Sequence, residues 1–196
     1  MKPRPLIDAA LILLGALALA ACASQADHFY QLDTLPGADG GKIRPTSRPV
    51  RLNLTVPGSF DRAEMVLNDA ANGVVIYDHE RWPAPLAGEI TATLARDIEQ
   101  RRADLLIGDS RFDRAGSTPL DVDVAIVQIT ARRGGQVILE AHWRIADQIG
   151  GDSFKAPVDG LGFAAVARGY SQALSELADT LAAAIPDTAP PRSALK

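Results

Sequence analysis

The sequence is short of the residue types that most site chemistries need. It holds one cysteine and three histidines, and aromatic residues make up only 5% of it. A lone cysteine excludes an internal disulfide and a cysteine-rich zinc site. His28, His79 and His142 lie far apart and offer no metal-ligand spacing. Positive charge is also scarce. Lys and Arg number 20 against 24 Asp and Glu, for a formal net charge of -4 and a pI near 5.3. That balance builds no broad basic surface for nucleic acid. No apolar run approaches the ~20 residues that a membrane-spanning helix requires. Neither a Gly-x-Ser-x-Gly elbow nor a Walker-type phosphate loop occurs. What remains is 196 residues, 47% hydrophobic and 22% charged, the composition of one globular domain with a sizeable core.

The N-terminus reads as an address rather than as fold. Lys2 and Arg4 form a short positive region, and Ala9 to Ala21 is an uncharged apolar run. Its length suits the apolar region of a secretory signal peptide. The run ends in Leu19-Ala20-Ala21-Cys22, the pattern of a bacterial lipobox. Small residues at positions 20 and 21 fit a narrow peptidase cleft. The Cys22 thiol is the group that would take a diacylglyceryl thioether and, after cleavage, an N-acyl chain. No other cofactor is expected. Residues 1–21 are thus read as a lipoprotein signal peptide and 22–27 as acylated cysteine plus tether. One acyl chain binds a bilayer only reversibly, whereas several anchor stably. Ala23 rather than Asp after the cysteine favours the outer membrane, on its periplasmic face.

Residues 28–186 read as one domain. His28 to Leu32 is a strand signal, and Pro36 to Pro49, rich in Gly and Pro, is a loop. Val50, Leu52 and Leu54 alternate with polar residues as in a half-buried strand. Glu64 to Leu67 and Val74 to Tyr77 flank Asn72-Gly73, a hairpin signal. Asp78 to Pro85 reads as a loop. Leu86, Ile90, Leu94 and Ile98 recur every fourth residue and predict a helix over 86–101, with Asp97, Glu99 and Arg101 off its apolar stripe. Ala103 to Ile107 is a buried strand. Leu120 to Thr130 and Gln136 to Ala146 form a strand pair turned by Gly134-Gly135, with Trp143 on the core face. Leu161 to Ile185 is a second helix, stopped by Pro186, and residues 187–196 read as a disordered tail. Two amphipathic helices on a mixed or antiparallel sheet make a two-layer α+β fold.

Within that domain no acid, base and nucleophile converge on a plausible reaction, so the chain is read as a non-enzyme. Asp121 and Asp123 share one strand face, which a solvated outer surface explains better than a catalytic pair. Arg81-Trp82 before the first helix has two readings. It is a binding hot spot, since Arg and Trp are enriched there, or Trp82 is core and Arg81 caps a carbonyl.

Several of these features fall in one order along the chain. They are the lipobox, Phe29-Tyr30-Gln31-Leu32, Arg81-Trp82 followed by Pro85-Leu86, Ala141-His142-Trp143-Arg144-Ile145-Ala146-Asp147, the Phe154 to Val158 segment and Ser171-Gln172-Ala173-Leu174-Ser175-Glu176-Leu177. The ordered set resembles the ABC-type transport auxiliary lipoproteins of the PqiC/YmbA type over nearly all of the mature chain. The long Pro36 to Pro49 loop departs from the pattern. The resemblance implies a non-enzymatic component of an intermembrane lipid transport system. Its partner would be an MCE-domain periplasmic protein and, through it, an ABC permease and ATPase. A homo-oligomer stays open. Tyr30, Leu32, Arg81 and Trp82 are the candidate partner-binding residues, or they support the fold around that surface. The rival readings are a structural or assembly lipoprotein of the envelope, and an envelope hydrolase starting from Asp121 and Asp123.

Overall fold

A computed structural model of the protein describes residues 25–37, 47–69, 72–108 and 118–187. The lipobox, the signal segment and the tail past Asp187 lie outside the described residues. Eight strands and two helices follow one another as β1 (His28–Phe29), β2 (Arg48–Thr55), β3 (Glu64–Asn68), β4 (Val74–Arg81), α1 (Leu86–Arg101), β5 (Leu105–Ile107), β6 (Leu120–Ala131), β7 (Gln136–Ile145), β8 (Gln148–Pro157) and α2 (Phe163–Ala184). The fold is α+β, as the sequence pattern predicts.

The main sheet has five strands in the order β5-β2-β6-β7-β8. Strands β5 and β6 run parallel to β2 on either side, and β6, β7 and β8 form an antiparallel meander. Both helices lie on one face of this sheet, α1 against β2 and β5, α2 against β7 and β8, and they pack on each other. The predicted stripe of α1 is the reason: Leu86, Ile90, Leu94 and Ile98 are all fully buried. Helix α2 buries Val166, Tyr170, Leu174, Leu177 and Leu181 together with Ala165, Ala173, Ala178 and Ala182, because it faces the sheet and α1 at once. Gly169 allows the close approach, since a Cβ there would meet Val137 and Val158 side chains at 3.1 Å.

Side chains from elsewhere in the chain finish the helix ends, whose backbone groups have no intrahelical partners. The Asp61 carboxylate accepts a hydrogen bond from the Ala87 N–H at 3.1 Å. At the far end of α2, Arg102 Nη1 donates to the carbonyls of Ala182 and Ile185 at 3.0 and 2.8 Å.

A second, three-stranded sheet in the order β1-β4-β3 closes the end of the domain near the start of α2. Strand β3 pairs antiparallel with β4, from Asn68 opposite Val74 to Met65 opposite Tyr77, with a register break before Glu64 opposite Arg81. The hairpin loop is longer than the Asn72-Gly73 signal implies. Asn72 does take the left-handed conformation, at φ 62°.

Four expectations need correction. Strand β1 is only two residues long, and the chain from Tyr30 onward is irregular. Residues 78–81, expected as loop, extend β4. Strand β8 is not among the expected strands. Finally, Trp143 is half-buried rather than core: its ring lies over Gly150, beside Phe154 at 6.3 Å between centroids.

Candidate functional site

Asp27, just before β1, fastens the chain to β4. Asp27 Oδ1 lies 2.9 Å from His79 Nδ1, and Arg81 Nε is 4.0 Å from Asp27 Oδ2. Next, β1 pairs in parallel with β4, His28 opposite Glu80 and Phe29 opposite Arg81. The Glu80 carboxylate lies between His28 Nδ1, at 3.2 Å, and the Tyr30 hydroxyl, which donates to it at 2.6 Å. Burial works to raise Glu80, but the hydrogen bonds from Tyr30 and His28 outweigh it and hold the carboxyl below its usual range. Burial, then the Glu80 hydrogen bond and charge, push Tyr30 up to about 12. Tyr30 is therefore a fixed donor, with its ring tilted 6.3 Å from Phe163 of α2.

Beyond Tyr30 the chain forms a strap across the two helices. Leu32 is buried in the core. The Asp33 N–H donates to Ser171 Oγ at 2.9 Å, and the Leu35 N–H donates to Asp97 Oδ1 at 3.0 Å. Arg101 donates to the Leu35 carbonyl, to the Asp97 carbonyl, to Ser175 and to Asp179, tying strap, α1 and α2 together. Asp97 is fully buried, contrary to the expectation that it lies off the stripe. The strap and α2 supply a second wall against α1, so a helix face that would otherwise meet water is enclosed. Burial pushes the Asp97 carboxyl up to about 6, against the Leu35 hydrogen bond and the nearby arginines.

The four candidate partner-binding residues separate into two kinds. Leu32 and Trp82 are 5% and 2% exposed. The Trp82 ring packs edge-on against Tyr170 at 5.5 Å, and the Trp82 backbone N–H donates to the Ala63 carbonyl at 2.7 Å. These two side chains hold the fold and present nothing to a partner. Tyr30 and Arg81 are half-exposed and lie in the one cluster described above. Arg81 pairs with Glu64 at 2.8 Å and donates to the Asp78 carbonyl at 3.2 Å. The capping reading of Arg81 and the core reading of Trp82 thus describe where both side chains sit. Cys22, with Leu19, Ala20 and Ala21, lies outside the described residues.

The other candidates are arranged for solvation. Asp121 pairs with Arg51 at 3.0 Å. Asp123 accepts from Asn53 at 2.9 Å and from Arg144 at 2.6 Å, and those two bonds hold its carboxyl below the usual range. Two carboxylates on an open sheet face, each paired with its own arginine, make no acid–base couple. His28 and His79 meet carboxylates rather than each other, and His142 lies on the exposed face of β7. Among the described residues no group of His, Cys, Asp and Glu is placed to hold a metal ion. Nor is any described helix long and apolar enough to cross a membrane. The sequence reading missed Asp27, Glu64, Glu80 and Asp97 as members of this N-terminal cluster. Ser171 was noted only as part of a helical motif. Apart from the Glu64–Arg81 pair, their contacts join residues 50 to 138 positions apart, which local pattern does not report.

Three comparisons bear on identity. Solved structures share the fold. One is the crystal structure of an uncharacterized protein, 15% identical, with a TM-score of 0.65 over 83% of this chain and 100% of that one. Another is protein XCC0632 from Xanthomonas campestris, of the DUF330 family, 12% identical, with a TM-score of 0.55 over 80% of this chain and 92% of that one. No curated protein matches the chain. The model of the family described as ABC-type transport auxiliary lipoprotein component matches residues 30–182. That span runs from Tyr30 at the head of the strap to Ala182 near the end of α2, and so takes in every strand but β1 and nearly all of both helices. The chain belongs to the ABC-type transport auxiliary lipoprotein components.

Proposed function

We propose that the protein is a lipid-anchored lipoprotein on the periplasmic face of the outer membrane. There it acts as the docking partner of an MCE-domain protein in an ABC-driven intermembrane lipid transport system. The observation that carries this reading is the fastening of the chain immediately after the lipobox. Cys22 is the only cysteine, and five residues later Asp27 is already bound to His79 and Arg81. Tyr30, Asp33 and Leu35 then tie the strap to β4, α2 and α1. A domain held so close to its anchor is concentrated at the membrane where a bridging partner ends, and that raises their effective concentration. The paired state of the exposed carboxylates supports a binding role over a catalytic one.

The test is a pull-down from native membranes with a tag after Lys196, after periplasmic crosslinking, for the wild type and Cys22→Ala. The expected result is recovery of an MCE-domain protein with its permease and ATPase, reduced several-fold in the variant. Recovery of other envelope proteins alone would refute the transport reading and favour an assembly lipoprotein.

A further inference from the structure

Strand β4 carries an exposed apolar stretch with a free edge. Val74, Val75 and Ile76 are 51%, 39% and 44% exposed. One side of this stretch is paired with β3. On the other side β1 reaches only Glu80 and Arg81, so among the described residues Val74 to Tyr77 have no second strand. Soluble proteins normally blunt such an edge with charge or cover it. Beside it, Leu161 is 73% exposed. Val75, Tyr77 and Leu161 line a depression of about 480 Å³ together with Arg132, Arg133 and one carboxylate, Asp69. The Arg133 guanidinium is held there, 5.3 Å from the Tyr77 ring centre and 5.0 Å from that of Phe163.

The direction of the tether says what this surface meets. Strands β1 and β4 are parallel, so the chain enters β1 from the side of Glu80 on which Val74 lies. The Asp27–His79 contact follows that course. Cys22 lies five residues before Asp27, which limits its distance to about 17 Å even for a fully extended chain. Val74 to Ile76 lie three to five residues before His79, about 10–17 Å along the strand. The reach available to an acylated Cys22 thus matches the distance from His79 to the apolar strand segment.

We propose that Val74 to Ile76, Leu161 and the Arg132–Arg133 pair form the surface with which the domain rests on the phospholipid bilayer that holds Cys22. The apolar side chains enter the headgroup region, and the two arginines lie at the level of the phosphates, where basic groups near an anionic surface are favoured. This inference rests on acylation of Cys22.

The experiment uses mature lipidated protein extracted from membranes and reconstituted in vesicles of phosphatidylethanolamine with phosphatidylglycerol as the minor lipid. A bimane reporter is placed by Ile76→Cys, by Leu161→Cys or, on β8, by Asp152→Cys as the distal position. The acylated Cys22 takes no label. A headgroup nitroxide is expected to quench the reporters at 76 and 161 at least three-fold more than the one at 152, and aqueous iodide the reverse. Equal quenching at all three positions would overturn the proposal. So would a reporter at 76 shielded from both quenchers, which would identify a second copy of the chain pairing with the strand. Protein that fails to sediment with vesicles and whose Cys22 labels with thiol reagents would instead defeat the anchoring reading, and this inference with it. Sedimentation without the quenching pattern defeats only the inference.

Discussion

Asp97→Asn should stabilise the protein at alkaline pH relative to mildly acidic pH, and the size follows from the site. Asp97 is fully buried in α1. Its Oδ1 accepts from the Leu35 N–H, while its Oδ2 is buried with no hydrogen-bond partner. Arg101 spends its guanidinium on the Asp179 and Ser175 side chains and on three backbone carbonyls, those of Leu35, Asp97 and Ser175. Burial thus dominates and raises the carboxyl from 3.8 to about 6. The folded state holds this proton more tightly than the unfolded chain. Its contribution is therefore most favourable below about pH 4 and is lost as pH rises through about 6. At 1.36 kcal/mol per unit, the full loss is about 3 kcal/mol, of which about 2 kcal/mol falls between pH 4.5 and pH 8. An asparagine keeps the acceptor for Leu35 and has no charge to bury. Urea unfolding of both proteins at pH 4.5 and pH 8 isolates the effect, because other titrating groups cancel in the difference. The variant should gain about 2 kcal/mol on the wild type between the two pH values, or roughly 4–8 °C in melting temperature. A difference that is flat with pH, or that moves the other way, would show that the carboxylate is charged and paired in the fold.

Two more outcomes test the packing. Trp82→Ala should cost about 3–5 kcal/mol in chemical denaturation, because it empties a buried site against Tyr170. A loss below ~1 kcal/mol would mean that Trp82 is accessible enough to serve a partner. Gly150→Ala should displace the Trp143 indole, whose nearest ring atoms lie 2.5 Å from where the new Cβ would sit. It should cost about 1–3 kcal/mol and red-shift the tryptophan emission, and the same variant carrying Trp143→Phe should show no shift.

Where local periodicity decides the outcome, the sequence is a sufficient guide. Leu86, Ile90, Leu94 and Ile98 predict α1 to its observed ends, and the alternation in 136–145 finds the core face of β7. The failures have one physical source, long-range packing. Strand β8 goes unread because nothing nearby in the sequence shows that the Trp143 and His142 rings lie across Gly150 and Gly151; Cβ atoms there would meet those rings at 2.5 and 2.7 Å. Asp97 reads as surface because a single stripe at four-residue spacing ignores a second wall, and that wall comes from a strap about sixty residues earlier. The candidate site was half legible for the same reason. Tyr30 and Arg81 stand out as residue types, but Asp27, Glu64 and Glu80, which fix them, are ordinary surface carboxylates until β1 is laid beside β4.

The placement of these contacts constrains how an anchored domain could work. A lipid anchor on a long flexible linker leaves a domain free to tumble, and its partner then bears the full cost of orienting it. Here the contacts begin at Asp27, and within the next eight residues the chain is bound to β4, α2 and α1. An acylated Cys22, five residues before Asp27, would hold the domain within about 17 Å of the bilayer. A pull on such an anchor would load Asp27, Glu80, Ser171 and Asp97 before the core, and a strap under that load has to be fastened at several points rather than one. That requirement gives a physical reason for a buried carboxylate at Asp97. A side chain in this position must accept from the Leu35 N–H, and an apolar replacement would leave that donor buried and unpaired at a cost of about 1–3 kcal/mol.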